Sequence, residues 1–249
     1  MNDIHGIVIN ELKYKNTSKI ITVFTHELGL IKIMCQGAYR KNSPLSAITN
    51  KYGYSTYNLN KGKSFYYIVD GIPNSNNFFL TKSLELLTVS ALITELLEAT
   101  MPVEQPEPDI YRLLEEFLRI LKQDNDSLRP ALIAFFMKYS SFMGFRPNLN
   151  GCIKCGNKNS ELYTIASSSG GATCSICGVL NKYNSVTREE LIYLGRLLYL
   201  PMKDNTGLNQ NGNKIDYRKL TRISLEYLMT NMDIQKLNIV KWLDKSKII

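Results

Sequence analysis

The sequence predicts an α+β protein, with a small closed β-barrel followed by a helical domain that carries a cysteine-bearing insertion. Residues 1–75 contain five short runs rich in β-branched and aromatic residues, whereas most later segments repeat apolar residues at helical spacing. Four of the five cysteines form two matched Cys-x2-Cys pairs between helical segments. With 249 residues the chain is long enough for two modest domains.

Five strands are predicted at the N-terminus. The runs GIVINEL and KIITVFT are β-branched, and in LIKIMCQG the apolar Ile31 and Ile33 flank Lys32. The runs KYGYSTYNL and SFYYIVDGI are separated by NKGK at 60–63, which predicts a hairpin with a basic tip. Five short strands predict a barrel of the oligonucleotide-binding (OB) or the SH3-like kind, and the strand count does not separate the two.

The segments after residue 78 predict helices. DIYRLLEEFLRIL forms one apolar stripe, and ALIAFFMKYSSFM is apolar nearly all round, as expected of a buried central helix. In SVTREELIYLGRLLYL, Thr187 and Glu190 have the spacing of a capping box. The predicted domains are a barrel domain at 1–78, a first helical part at 79–150, a cysteine-bearing insertion at 151–183 and a second helical part at 184–249.

The cysteine pairs are Cys152/Cys155 and Cys174/Cys177, separated by 18 residues. This spacing is typical of tetrahedral zinc sites; the alternatives are two disulfides or four free thiols. Disulfides need an oxidising compartment, and the N-terminus shows no export signal. An all-cysteine ligand set predicts one structural Zn²⁺, which would also order the polar spacer between the pairs. Cys35 alternates with apolar residues and is predicted to lie in the core.

The net charge is +8, with +5 in residues 1–80, −3 in 81–150 and +6 in 151–249. A basic balance favours a polyanionic partner, although charged runs are often only solvated faces. No signal peptide and no apolar stretch of about 18 residues is found, which predicts a cytoplasmic protein without a membrane span. No nucleotide-binding, metalloprotease or nucleophile-elbow motif occurs, so a non-enzymatic role is expected.

Basic residues of the barrel cluster in three predicted loops beside several tyrosines. Lysines and arginines that neutralise phosphates, together with exposed rings that stack on bases, hold single strands without sequence preference. The alternative assigns most of the tyrosines to the barrel core, because alternation turns about half of them inward. The predicted DNA-binding residues are Lys13, Lys15, Lys19, Tyr39, Arg40, Lys41, Lys61 and Lys63.

Three segments carry a family resemblance: GIVINELKYKNTSKIITVFTHELGLIKIMCQGAYRKNSPLSA, then FMGFRPNLNGCIKCG, then GGATCSICG. Their motifs and their order resemble the bacterial DNA repair and recombination mediator family RecO. The resemblance implies an OB fold, a helical domain and a zinc insertion, with Cys152, Cys155, Cys174 and Cys177 as ligands. It also places DNA contacts in the basic loops at 15–19 and 40–41.

The resemblance further implies a mediator of the RecF-type pathway that binds single- and double-stranded DNA and anneals complementary strands. Such a mediator works with RecR and single-strand binding protein to load RecA onto DNA. Two other hypotheses come from the residues alone. One is a zinc-ribbon adaptor whose barrel binds protein, and the other is a zinc-dependent hydrolase or deaminase. The last is disfavoured, because no His-x-Glu precedes the cysteine pairs.

Overall fold

The computed structural model describes residues 1–123, 128–179, 184–202, 215–235 and 237–243. The chain divides into two compact units, Met1–Tyr111 and Arg112–Ile249. The first unit extends past residue 78, the predicted end of the barrel domain, and includes the first helix, α1 (Leu84–Thr100).

Five strands of the first unit form a closed barrel in the order β1-β2-β3-β5-β4, and β1 pairs with β4 to close it. Strands β3 and β5 run parallel, with Ile33 opposite Tyr66, and the other pairs are antiparallel. This strand order is that of the OB fold, so the fold-class prediction is confirmed and the SH3-like alternative is wrong. The strands are β1 (Ile4–Tyr14), β2 (Ser18–Thr25), β3 (Gly29–Cys35), β4 (Tyr54–Lys61) and β5 (Tyr66–Ser75).

The barrel core is built from the inward-facing β-branched residues of these strands, such as Ile21, Val23 and Ile33, which are fully buried. Tyr57 also lies in the core, where its hydroxyl donates a hydrogen bond of 2.7 Å to the Ile48 carbonyl and burial raises its pKa. Cys35 is completely buried, as predicted, and burial raises the pKa of its thiol to about 12.

Gly29 begins β3 with a left-handed φ of +69°, and a Cβ built there would lie 1.9 Å from the Gln105 carbonyl oxygen. We expect Gly29→Ala to destabilise the first unit by about 2–4 kcal/mol, from the backbone conformation and the overpacking together. Gly170→Ala is the matched control: φ there is +68°, but a Cβ would meet nothing within 4 Å. Urea unfolding should show that the control loses only about 1–2 kcal/mol of unfolding free energy. An equal loss of stability in the two variants would contradict the steric argument.

The helices of the second unit pack around α3, which is buried on nearly all sides and contacts both α4 and α5. The predicted central helix is thus confirmed. The capping box is confirmed as well, because Thr187 and Glu190 cap each other's backbone N–H groups at the start of α4. No helix of the described ranges is long and apolar enough to cross a membrane. The helices are α2 (Pro108–Gln123), which crosses the division between the units, α3 (Leu128–Phe142), α4 (Arg188–Tyr199), α5 (Tyr217–Asn231) and α6 (Val240–Leu243).

The cysteine insertion contains a three-stranded sheet in the order β7-β6-β8, from β6 (Leu162–Ala166), β7 (Gly171–Cys174) and β8 (Ser185–Thr187). The polar spacer, which metal binding is expected to order, thus also contains hydrogen-bonded strands. Tyr163, Ile165 and Ala172 are buried, and β6 contacts α4 and α5. Helices from elsewhere in the chain supply the apolar surface that the spacer itself lacks.

Candidate functional site

The three predicted basic loops meet at one end of the barrel. The β1–β2 turn, the segment after β3 and the β4–β5 hairpin lie together there, because Lys19 of β2 is paired with Cys35 of β3 and Lys61 of β4 with Tyr66 of β5. Between them is a concavity of about 820 Å³. Its lining combines three cations with three aromatic rings: Lys15, Arg40 and Lys63 with Tyr14, Phe65 and Tyr67.

Hydrogen bonds hold two of these loops against each other. The Tyr39 backbone N–H donates to the Thr17 carbonyl at 2.9 Å, and the Gly37 N–H donates to the Ser18 hydroxyl at 3.2 Å. The Arg40 N–H donates to the Gly37 carbonyl at 3.0 Å and closes the turn after β3. The wall of the concavity that carries Arg40 is therefore ordered before any ligand arrives, which lowers the entropic cost of binding.

The three lining cations point to an anionic ligand. Lys15, Arg40 and Lys63 are exposed, and none of them forms an ion pair within the part of the chain that the structure describes. Lys15 has a left-handed φ of +53°, and its Nζ lies 5.3 Å from the centre of the Tyr14 ring. Lys13 and Lys41 are also exposed in these loops. Cations without neighbouring carboxylates raise the local concentration of phosphates.

Two of the predicted DNA-binding lysines have other partners. Lys19 is only 4% exposed, and its Nζ lies 2.8 Å from Glu11 Oε2 and 5.4 Å from the centre of the Tyr39 ring. Lys61 Nζ lies 2.5 Å from Glu104 Oε2, and this hydrogen bond raises the pKa of Lys61. Neither these lysines nor Tyr39 lines the concavity.

The tyrosines divide between core and surface. Tyr52, Tyr57 and Tyr66 are buried, in line with the alternation that turns about half of these rings inward, whereas Tyr67 is 39% exposed in the concavity. Sequence reasoning missed Tyr14, which is equally exposed. Its position beside Lys15 in a hairpin turn was the signal that could have found it.

The four predicted metal ligands lie together in the second unit. The Sγ atoms of Cys152, Cys155, Cys174 and Cys177 are all within 4.8 Å of one another. Cys155 Sγ and Cys174 Sγ are 3.7 Å apart, which matches the separation of about 3.8 Å expected of two thiolates bound tetrahedrally at about 2.3 Å. The described residues at this site therefore fit a tetrahedral metal ion.

Tight turns bring each pair of sulfurs together. The Gly156 N–H donates to the Cys152 carbonyl at 2.8 Å, with a left-handed φ of +74° at the glycine. The Gly178 N–H donates in the same way to the Cys174 carbonyl at 2.9 Å. The first pair follows α3, and the second begins on the last residue of β7. The insertion's sheet thus delivers one half of the site.

Backbone hydrogen bonds around the cluster favour the ionised thiolate form of the cysteines. The neighbouring sulfurs have the opposite effect, because each one disfavours the ionisation of another. Hydrogen bonding from the Cys174 backbone is the main cause that lowers the pKa of the Cys152 thiol to about 6, and the Cys177 backbone lowers that of Cys174. The neighbouring Cys155 and Cys174 sulfurs raise the pKa of Cys177 to about 12. Four adjacent thiolates need a cation to offset their charges, and a divalent metal supplies it.

The chain matches two family models that together cover most of it. Residues 1–75 match the model for the N terminus of recombination protein O, and residues 81–238 match the model for its C terminus. The DNA repair protein RecO of Alkaliphilus metalliredigens is 27% identical over 92% of each chain. The RecO of Caldicellulosiruptor saccharolyticus is 32% identical over 69% of this chain and 70% of its own length. The Bacillus subtilis RecO is 28% identical over 78% and 75%. The chain therefore belongs to the RecO family of DNA repair proteins.

Proposed function

We propose that this chain is a non-enzymatic DNA-binding mediator of recombinational repair that captures DNA at the open end of its OB barrel and anneals complementary strands. One observation carries the proposal: three separate loops place Lys15, Arg40 and Lys63 around a single concavity that also contains three aromatic rings. Phosphate-neutralising cations combined with stacking platforms are the usual means of holding single-stranded nucleic acid.

The proposed annealing mechanism depends on backbone capture. Binding to phosphates, and stacking of a few bases, leave most base edges of the strand free to pair with an incoming complement. Pairing is energetically downhill once the repulsion between two phosphate backbones is screened, so no nucleotide hydrolysis is required. The cations of the barrel supply this screening, and exposed Lys13 and Lys41 extend it beyond the concavity.

The partners proposed for this activity are single- and double-stranded DNA, RecR and single-strand binding protein, with RecA loaded indirectly. The proposed location is the cytoplasm, on the nucleoid. The four cysteines are proposed to hold one structural Zn²⁺, because an all-cysteine set leaves no open coordination position for chemistry. The zinc would hold the two cysteine turns and the end of β7 together. It would have no direct part in binding DNA, because the proposed DNA-binding groups belong to the barrel.

Replacing Lys15, Arg40 and Lys63 together by glutamate is expected to abolish strand annealing and single-strand binding at moderate salt. Replacing the same three residues by glutamine removes only their charge. The slope of log affinity against log salt should then become shallower by about 0.7 for each phosphate that is no longer neutralised. Annealing of complementary oligonucleotides and fluorescence anisotropy at several salt concentrations measure the two effects.

The matched control replaces Lys32, Lys51 and Lys82 by glutamate, which changes the net charge equally on the same unit but away from the concavity. The control should retain most of the binding. Equal loss in both triple variants would mean that total charge, rather than the concavity, determines capture. Full annealing by the Lys15, Arg40 and Lys63 glutamate variant would overturn the proposal and favour a barrel that binds protein.

A further inference from the structure

We propose that the concavity holds about one or two unpaired nucleotides, with their bases stacked on Tyr14 and Tyr67, and that it thereby selects single-stranded over double-stranded DNA. This inference rests on the proposed DNA-binding function and adds the class of DNA and the rings that recognise it. The rest of the strand remains outside the barrel and free to pair.

The size and shape of the concavity favour unstacked bases. Its volume of about 820 Å³ lies in the range of pockets that enclose small molecules, about 300–1,000 Å³. A duplex keeps its bases stacked inside and presents mainly phosphates and groove edges. Only bases that have left the stack can fill a recess of this kind, whereas a duplex would contact its rim.

The two rings are available for stacking. Tyr14 and Tyr67 are each 39% exposed, although large aromatic side chains are usually mostly buried. Tyr67 lies against Gly62, where a Cβ would come within 2.7 Å of its Cε2 atom. Because glycine has no side chain, the Tyr67 ring can pack directly on the hairpin backbone at Gly62. This contact holds the ring in place along the side of the recess.

A nucleotide matches the pairing of charge and ring at this site. It presents a phosphate next to a flat base, and Lys15 Nζ lies 5.3 Å from the centre of the Tyr14 ring. Arg40 and Lys63 supply two further cations along the lining, and the side chains of Ser18 and Gln36 offer hydrogen-bond donors and acceptors to base edges. A nucleotide uses the cations and the rings together, whereas a protein partner recognised only through acidic residues would engage the cations alone.

The test compares three ligands of the full-length chain: an oligothymidylate, an abasic strand of the same length and charge, and a blunt duplex. The wild-type chain should bind the oligothymidylate more tightly than the abasic strand by about 5- to 150-fold for each stacked base, the range set by stacking at about 1–3 kcal/mol per base. Joint replacement of Tyr14 and Tyr67 by alanine should remove this preference and leave affinity for the abasic strand and the duplex unchanged. Phenylalanine at both positions should restore the preference.

Tyr39→Ala is the matched control, because Tyr39 is 48% exposed at the same end of the barrel but does not line the concavity. This variant should keep the preference, and circular dichroism checks that every variant is folded. The inference is overturned if the wild-type chain binds all three ligands equally, or if the double alanine variant loses affinity for them in parallel. Failure of the wild-type chain to bind any of the three would overturn the proposed DNA binding itself.

Discussion

Replacing Cys174 with serine is expected to release the proposed zinc ion and to destabilise the second unit by at least about 3 kcal/mol, a fraction of the zinc contribution in small peptides. Cys174 is the last residue of β7 and is completely buried, so its sulfur joins the sheet of the insertion to the metal site. Structural zinc contributes about 10–16 kcal/mol to the folding of small zinc-finger peptides. The loss here should be smaller, because Tyr163 and Ile165 keep β6 buried.

Metal content per chain and thermal unfolding followed by circular dichroism measure this prediction. Cys35→Ala is the matched control, since Cys35 is a buried cysteine of the barrel core outside the metal cluster. It should cost some stability and leave the metal content unchanged. Single-strand binding by the Cys174→Ser variant should persist at temperatures where the barrel remains folded, because the lining cations belong to the first unit. Full metal retention in that variant would contradict the four-ligand site.

The elements whose patterns repeat over several turns or strands could be predicted from sequence. The five strands of the barrel follow β-branched runs, and the start of α4 follows from the spacing of Thr187 and Glu190. The β6–β7 hairpin was missed because its strands are short and its turn is Ser-rich, and their burial depends on helices distant in sequence. Local pattern cannot show which surface will cover a weakly apolar strand.

The cysteine cluster could be predicted more completely than the basic concavity for a related reason. Four cysteines at this spacing have few arrangements that satisfy a tetrahedral ion, so the spacing alone predicts which four sulfurs come together. Lysines are different, because a lysine in a basic loop can face solvent or a carboxylate. Lys15 lines the concavity, whereas Lys19, four residues later, is buried against Glu11. That distinction depends on barrel register, since Lys19 lies opposite Lys13 on β1 and Cys35 on β3.

The barrel and the second unit use ion pairs in different environments. The Lys61–Glu104 pair is largely exposed, and solvent screening leaves exposed pairs of this kind with little effect on stability. The Lys219–Glu190 pair is different, because the Glu190 side chain is only 3% exposed and Lys219 Nζ lies 2.6 Å from its Oε2. Stability of the second unit should therefore respond far more to the loss of Glu190 than the first unit responds to the loss of Glu104.

Glu190→Ala is expected to destabilise the second unit by about 3–5 kcal/mol, the range for removing one partner of a buried ion pair. Glu190 Oε2 accepts from the Thr187 N–H at 2.9 Å as well as from Lys219, and Oε1 accepts from the Asp216 N–H at 3.3 Å. One carboxylate thus joins the first turn of α4 to the start of α5, and its removal leaves an ammonium and two backbone donors without their acceptor.

A double-mutant cycle with Lys219→Met separates these contributions. Lys219→Met alone should cost less than Glu190→Ala, because Glu190 keeps its two backbone donors. The double variant should lose less stability than the two single variants combined, since neither a partly buried ammonium nor a buried carboxylate is left without its partner. Urea unfolding of the four proteins gives the coupling energy. Strictly additive losses would mean that the helix cap, and not the ion pair, accounts for the effect of Glu190.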